Sequence, residues 1–234
     1  MNYLRLSVAS LLALALTVNV HADNLPKKGK WETLFDGKDL KGWHTYLKTG
    51  QPVGDKWVID DNSIHLKEGG AGDLVTDKEY GDFELELEWK IAEGGNSGVI
   101  FHVHEDPQYK ATYQTGPEMQ VLDNERHPDA KKGRDGNRTA CSLYDIQKPV
   151  TPNAAKPAGE WNKARLIIHD GKAEQYLNGK KTAEYPTSGP EWDKMVSESK
   201  FKGWEGFGKY ATGLIALQDH GNKVWYRNIR IREL

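Results

Sequence analysis

From Phe83 to Ile91 the chain reads Phe-Glu-Leu-Glu-Leu-Glu-Trp-Lys-Ile, an unbroken alternation of apolar and charged residues. Successive side chains of a strand point to opposite faces. An extended backbone therefore gathers Phe83, Leu85, Leu87, Trp89 and Ile91 on one side and Glu84, Glu86, Glu88 and Lys90 on the other. A helix, with its longer period, would spread both sets around its circumference. The segment specifies a strand with one face in a core and one in water. From Trp31 onward, short runs of Val, Ile, Phe, Tyr and Trp recur between turn pairs such as Asp36-Gly37, Asp61-Asn62, Asp170-Gly171 and Asn178-Gly179, which predicts an all-β sandwich. The best place for a short helix is Pro190 to Ser199. The Pro- and Gly-bearing stretch Glu105–Asp135 should form loops around one central strand, and Lys148–Pro157 another connection. With 37% hydrophobic residues and 24 glycines in 234, the chain suits one turn-rich domain, expected over residues 23–234.

The first 22 residues differ from the rest. Arg5 is their only charge, Leu11–Val18 is apolar, and Val20-His21-Ala22 gives a small-residue ending before Asp23. This is the pattern of a signal peptide over residues 1–22. The apolar run falls short of the roughly 20 residues a membrane-spanning helix needs, so no integral membrane segment is expected after cleavage. Export to the periplasm or beyond follows. The single cysteine, Cys141, forms no internal disulfide and reads as a small buried hydrophobe. The 32 basic and 34 acidic residues are scattered, leaving a net charge of -2 and no basic stripe, which excludes nucleic acid as the main partner.

The same alternation sorts the other strands. Val99, Phe101 and Val103 should face the core, with Ile100, His102 and His104 opposite. Met119 and Val121 oppose Glu118 and Gln120, Cys141 and Leu143 oppose Ser142 and Tyr144, and Ile215 and Leu217 oppose Gln218 and His220. If these strands are neighbours, His102, His104, Glu118, Gln120, Ser142, Tyr144, Gln218 and His220 line one polar face. Such a face suits sugar recognition, because hydroxyls need fixed donors and acceptors while the apolar faces of sugar rings pack on aromatic side chains. Of the eight tryptophans, Trp31, Trp43, Trp57 and Trp89 read as packing residues, and Trp192, Trp204 and Trp225 as more open.

Three clusters carry candidate chemistry. The first runs from Gly116 to Asp123, followed by His127; Glu118 and Gln120 project together, and Asp123 sits at the strand end. Laminarinase-type glycoside hydrolases place Glu, Asp and Glu where this chain has Glu118, Gln120 and Asp123. The amide in the middle weakens a direct two-carboxylate hydrolysis. The second, Gly94-Gly95-Asn96-Ser97-Gly98, leads into the strand of His102 and His104. It lacks the Lys-Ser/Thr of a phosphate loop, and a His spacing of two does not by itself define a metal site. The third, Leu217 to Ile229, pairs Gln218 with His220 and leaves Arg227 either on a substrate oxygen or on a surface carboxylate. No serine has a nucleophile-elbow setting.

Together with Leu34-Phe35-Asp36-Gly37-Lys38-Asp39-Leu40-Lys41-Gly42-Trp43, Tyr80-Gly81-Asp82-Phe83-Glu84-Leu85, Asn96-Ser97-Gly98-Val99 and Gly159-Glu160-Trp161-Asn162, these clusters resemble the 3-keto-disaccharide hydrolase domain family over residues 30 to 234. The resemblance implies a concanavalin-like jelly-roll sandwich of two curved antiparallel sheets with a concave binding face. It also implies cleavage of 3-keto-glycosides: a base removes the C2 proton acidified by the C3 ketone, and the enolate expels the C1 group. The substrate implied is an oxidised sugar or glycan. No cofactor is called for, though a calcium ion bracing a loop, as in some similar folds, stays open. On this reading His102 or His104 is the base, Glu118 an acid or base and Tyr144 a proton donor. Asn96, Gln120, Asp123, His127, Gln218, His220 and Arg227 would bind substrate. Many relatives carry an arginine where this chain has His102 and His104. A non-catalytic carbohydrate-binding module and a conventional glycoside hydrolase are the other readings.

Overall fold

The structure is a computed structural model that describes residues 29–234, so the signal peptide expected over residues 1–22 lies outside the described residues. In chain order the strands are β1 (Glu32–Phe35), β2 (Trp43–Thr45), β3 (Trp57–Asp60), β4 (Ser63–Leu66), β5 (Leu74–Thr76), β6 (Phe83–Ile91) and β7 (Asn96–Val103). They continue with β8 (Glu118–Leu122), β9 (Asn162–His169), β10 (Lys172–Leu177), β11 (Lys180–Pro186), β12 (Leu214–Leu217) and β13 (Val224–Glu233). One helix, α1 (Gly189–Ser197), stands where Pro190 predicts a start, beside short 3-10 turns at Thr112–Gln114 and Pro128–Lys131. The turn pairs act as expected. Asp61 and Asn62 (φ 47° and 55°), Asp170 and Gly171 (54° and 73°), and Asn178 and Gly179 (51° and 80°) take the left-handed conformation that tight hairpins require.

The strands form two antiparallel sheets, the all-β jelly-roll sandwich expected. The larger has eight strands, in the order β11-β10-β9-β6-β13-β4-β3 with β1 also on β13. The smaller has five, in the order β2-β5-β12-β7-β8. Between them lies the core. Phe83, Leu85, Leu87, Trp89 and Ile91 of β6 meet Val99 and Phe101 of β7, Met119 and Val121 of β8, and Ile215 and Leu217 of β12. Each such side chain contributes roughly 1.5–3 kcal/mol by leaving water. Cys141 is buried in this core, with the Thr182 hydroxyl donating to its sulfur at 3.0 Å. Trp43, Trp57 and Trp89 are buried as read; Trp192, read as open, is buried as well, facing Tyr185 and Phe207.

The far side of the smaller sheet is divided. Tyr46, Val75, Ile100, Val103, Leu214 and Ala216 make a second apolar cluster at one end. The segment from His104 to Tyr109 is tied over it by the Tyr46 hydroxyl, which donates to the Tyr109 carbonyl at 3.1 Å. The other end, around Gly98, is polar and open.

One break in the alternation decides where the histidines go. His102 takes φ 51°, and the β12–β7 register shifts beside it. Such a bulge rotates the strand end and exchanges its faces. Val103, expected in the core, therefore joins the outer apolar cluster. His102 turns the opposite way, its Nε2 donating to the Gly81 carbonyl at 3.0 Å and its ring edge-on to Phe83 and Phe101.

Candidate active site

Antiparallel pairing of β7 with β8 sets Asn96 opposite Leu122, Gly98 opposite Gln120 and Ile100 opposite Glu118. On the other side of β7, the Gln218 amide donates to the Gly98 carbonyl at 3.0 Å. Asn96, Glu118, Gln120 and Gln218 thus converge on Gly98, the one position here without a side chain. A β-carbon at Gly98 would collide with the Glu118 carboxyl, so glycine is what lets Glu118 lie across the sheet. Tyr113, Tyr144, Lys200, Phe201 and His220 complete a pocket of about 250 Å³.

The pocket's charges are unusual for a strand surface. Glu118 is 6% exposed, and among the described residues nothing donates a hydrogen bond to its carboxyl. Burial pushes its pKa from 4.5 up to about 8; nearby Lys200 opposes the rise, and the negative charges of Asp73 and Asp129 add to it. Asn96 Oδ1, Gln218 Oε1 and Ser142 Oγ are also buried without a partner. Each unsatisfied buried group costs roughly 1–3 kcal/mol unless a ligand meets it. Hydroxyl donors of a sugar would do so for the two amide oxygens, which line the pocket.

Lys200 is fixed by a brace behind it. Its backbone N–H donates to Asp145 Oδ2 at 2.8 Å, and its ammonium lies 4.1 Å from the centre of the Tyr144 ring. Arg138 joins Asp145 to Asp129 at 2.6 and 3.2 Å, and the Tyr144 hydroxyl donates to Asp129 at 2.8 Å. Burial lowers the pKa of the Lys200 ammonium, and the Glu118 charge works against that. Tyr144, with its proton engaged by Asp129 and its phenol pushed up by burial, forms a wall of the pocket.

Six of the expected residues meet here: Asn96, Glu118, Gln120, Tyr144, Gln218 and His220. Five do not. His102 is turned to the other side by the bulge, and His104 stacks on Tyr210 at 4.1 Å. Asp123 accepts the amides of Gly94 (2.7 Å) and Glu125 (3.1 Å), so it braces a turn; these bonds and Arg126 hold its carboxyl below the usual range. His127 caps the 3-10 turn by accepting the Asp129 amide at 3.1 Å, and reaches the pocket only by its edge-on contact with His220. Arg227 pairs with Glu88 at 2.7 Å on the outer face of the larger sheet, which settles its two readings for the surface carboxylate. Sequence reasoning missed Lys200, Tyr113 and Phe201. They come from irregular segments, where no alternation marks which way a side chain points. Among the described residues no group of three or more His, Cys, Asp or Glu side chains is placed to hold a metal ion, and no helix is long and apolar enough to cross a membrane.

A Bacillus subtilis protein with a galectin-like fold superposes with a TM-score of 0.53 at 15% identity, covering 88% of this chain and 96% of its own, a likeness of fold alone. Fold and pocket together define a jelly-roll sandwich that carries a polar, carboxylate-bearing pocket on its smaller sheet. Residues 30–232 match the family described as the 3-keto-α-glucoside-1,2-lyase-like domain, and the chain belongs to that family. A Bacteroides thetaiotaomicron protein named 3-keto-disaccharide hydrolase is 39% identical over 228 residues, covering 86% of this chain and 78% of its own length. A candidate glycosyl hydrolase from Parabacteroides distasonis, known as a crystal structure, is 34% identical with a TM-score of 0.78, covering 88% of this chain and 94% of its own.

Proposed function

We propose that the chain cleaves the glycosidic bond of 3-keto-glycosides by elimination, with Glu118 as the base. The observation that carries this is a buried carboxyl set in a pocket between unpartnered amide oxygens and a lysine, with no hydrogen bond from a described residue on it. A carboxylate whose pKa is raised to about 8 is a far stronger base than an ordinary one, and near neutral pH a useful fraction is still ionised. It takes the C2 proton; the C2–H electron pair moves toward C1 as the C1–O bond breaks, leaving a C1=C2 double bond beside the ketone. Charge passing through the C3 oxygen faces the Lys200 ammonium, which plays the part of an oxyanion stabiliser. The departing oxygen collects its proton at the solvent-facing side, where His220 stands. Asn96 and Gln218 accept hydroxyls that fix the ring. Water added later across the double bond completes a net hydrolysis.

An elimination needs one base and no second carboxylate, which agrees with an amide at Gln120 and with Asp123 spent on a turn. The pattern of residues 1–22 supports a periplasmic or secreted setting, checked by locating the mature protein after cell fractionation. Matched aryl glucosides, normal and oxidised at C3, test the reaction. Aglycone should be released only from the 3-keto form, and deuterium at C2 should slow it. Release from the normal glucoside would indicate a conventional glycosidase, and binding without release a carbohydrate-binding module.

A further inference from the structure

We infer that the open half of the smaller sheet holds two adjoining sugar subsites, the second of which, between Leu47, Ala111 and Tyr113, takes the leaving-group sugar of a 3-keto-disaccharide. This rests on the reaction proposed above. Beside the Glu118 pocket lies another of about 280 Å³, and the two share Tyr113, Gln218 and His220. Neither reaches the roughly 300–1,000 Å³ usual for a small-molecule site, whereas the pair does.

Their linings divide the work. The first pocket holds Glu118, Lys200 and the partnerless Asn96 oxygen, and so contains the reacting groups. Besides the shared residues, the second is lined by Tyr46, Leu47, Gly72 and Ala111 and by the charged Asp73, Lys110 and Asp219. Asp73 is already engaged, since one of its oxygens accepts the Asp219 amide at 2.8 Å and the other the Thr112 hydroxyl. It therefore acts as a post that holds the 3-10 turn Thr112–Gln114 against the sheet. That turn presents Tyr113, 42% exposed, at the border of the two pockets. An exposed aromatic ring beside Leu47 and Ala111 offers a packing surface to the C–H face of a second sugar, while Lys110 and Asp219 at the same pocket are polar groups its hydroxyls can meet. The scissile C1–O bond would then cross the shared residues, with His220 alongside the departing oxygen.

The test fills the second pocket and leaves the first open. Ala111→Phe narrows it from one wall, and Leu47→Trp narrows it from an exposed wall whose replacement spares the core. Wild type and both variants are assayed on a 3-keto-disaccharide and on methyl 3-keto-glucoside, whose leaving group does not extend into the second pocket. The ratio of kcat/KM for the disaccharide to that for the methyl glycoside should fall at least tenfold in any variant that folds. A ratio within twofold of wild type in Leu47→Trp would overturn the second subsite. If the wild type cleaved neither substrate, the reaction itself would fail, and the subsite with it.

Discussion

Glu84 on the larger sheet and Glu118 on the smaller are both strand carboxylates, 2% and 6% exposed, yet they are treated in opposite ways. Glu84 is gripped by Arg165 and by Arg232, whose Nε approaches to 2.7 Å, and these guanidiniums hold its pKa below the ordinary value of 4.5 against the cost of burial. Glu118 has no such partner and is pushed up instead. The contrast extends across the two faces. On the outer face of the larger sheet Glu86 pairs with Arg230, Glu88 with Arg227, and the Trp161 ring is faced by Arg227 at 3.9 Å and Lys90 at 5.0 Å. Its charges are satisfied by one another; among the described side chains of that face the one buried partnerless atom is His65 Nε2, whose ring stacks on Trp225 at 4.3 Å. On the pocket face, acceptors are left waiting. Polar residues alone therefore do not mark a site in this fold, and neither does a lone partnerless atom such as His65 Nε2 or Gln175 Oε1; partnerless acceptors gathered around one buried carboxyl do.

The largest test of that difference is chemical. Glu118→Gln keeps the shape and removes the base, and turnover on a 3-keto-glucoside should fall about 10²–10⁴-fold with the circular dichroism unchanged. On the other face, Glu84→Gln leaves two arginines facing an uncharged amide. It should lower unfolding stability by about 3 kcal/mol in urea titrations, while the folded variant keeps kcat/KM within twofold.

The pH dependence of stability separates the two carboxylates by sign. For Glu118 the folded pKa is raised, so its contribution is fully present below pH 4.5 and is lost as pH rises through about 8. For Glu84 the folded pKa is lowered, so its contribution is present above pH 4.5 and is lost as pH falls through the depressed value. Relative to wild type, Glu118→Gln should gain ~4 kcal/mol between pH 5 and pH 9 in paired urea titrations. Glu84→Gln should instead come closer to wild type as the solution is made acidic. The smallest effect belongs to Arg227→Ala, which should change both stability and kcat/KM little, by less than about 1 kcal/mol. A large loss of activity there would place the outer face in the mechanism after all.

Much of the sandwich was legible because its signals are local. The Phe83–Ile91 alternation, the Asn-Gly and Asp-Gly turns and the Glu118–Leu122 strand each declare their geometry within a few residues. The faces of Glu118, Gln120 and Gln218 followed from alternation; Tyr144 reaches the pocket too, but from a turn and not from the strand that the Cys141–Tyr144 alternation predicts. His102 defeated the same rule because a left-handed residue inside a strand has no fixed mark when it is not glycine; the exchange of faces depends on the tertiary bulge. Asp123 and Arg227 are a different case. Alternation does not disclose whether a polar group has a nearer partner, and both found one, in the Gly94 amide and in Glu88. Lys200 enters from the chain just after α1, held by Asp145, a contact across 55 residues that no periodicity reports.

Following the ionisation of Glu118 directly, by carbon-13 NMR of labelled glutamate carboxyls with Glu118→Gln to assign the signal, decides whether this carboxyl differs from the rest. A midpoint near pH 8 is the expected result. A midpoint near the ordinary 4.5 would mean that water or an unseen pairing already satisfies it, and the pocket would lose its base.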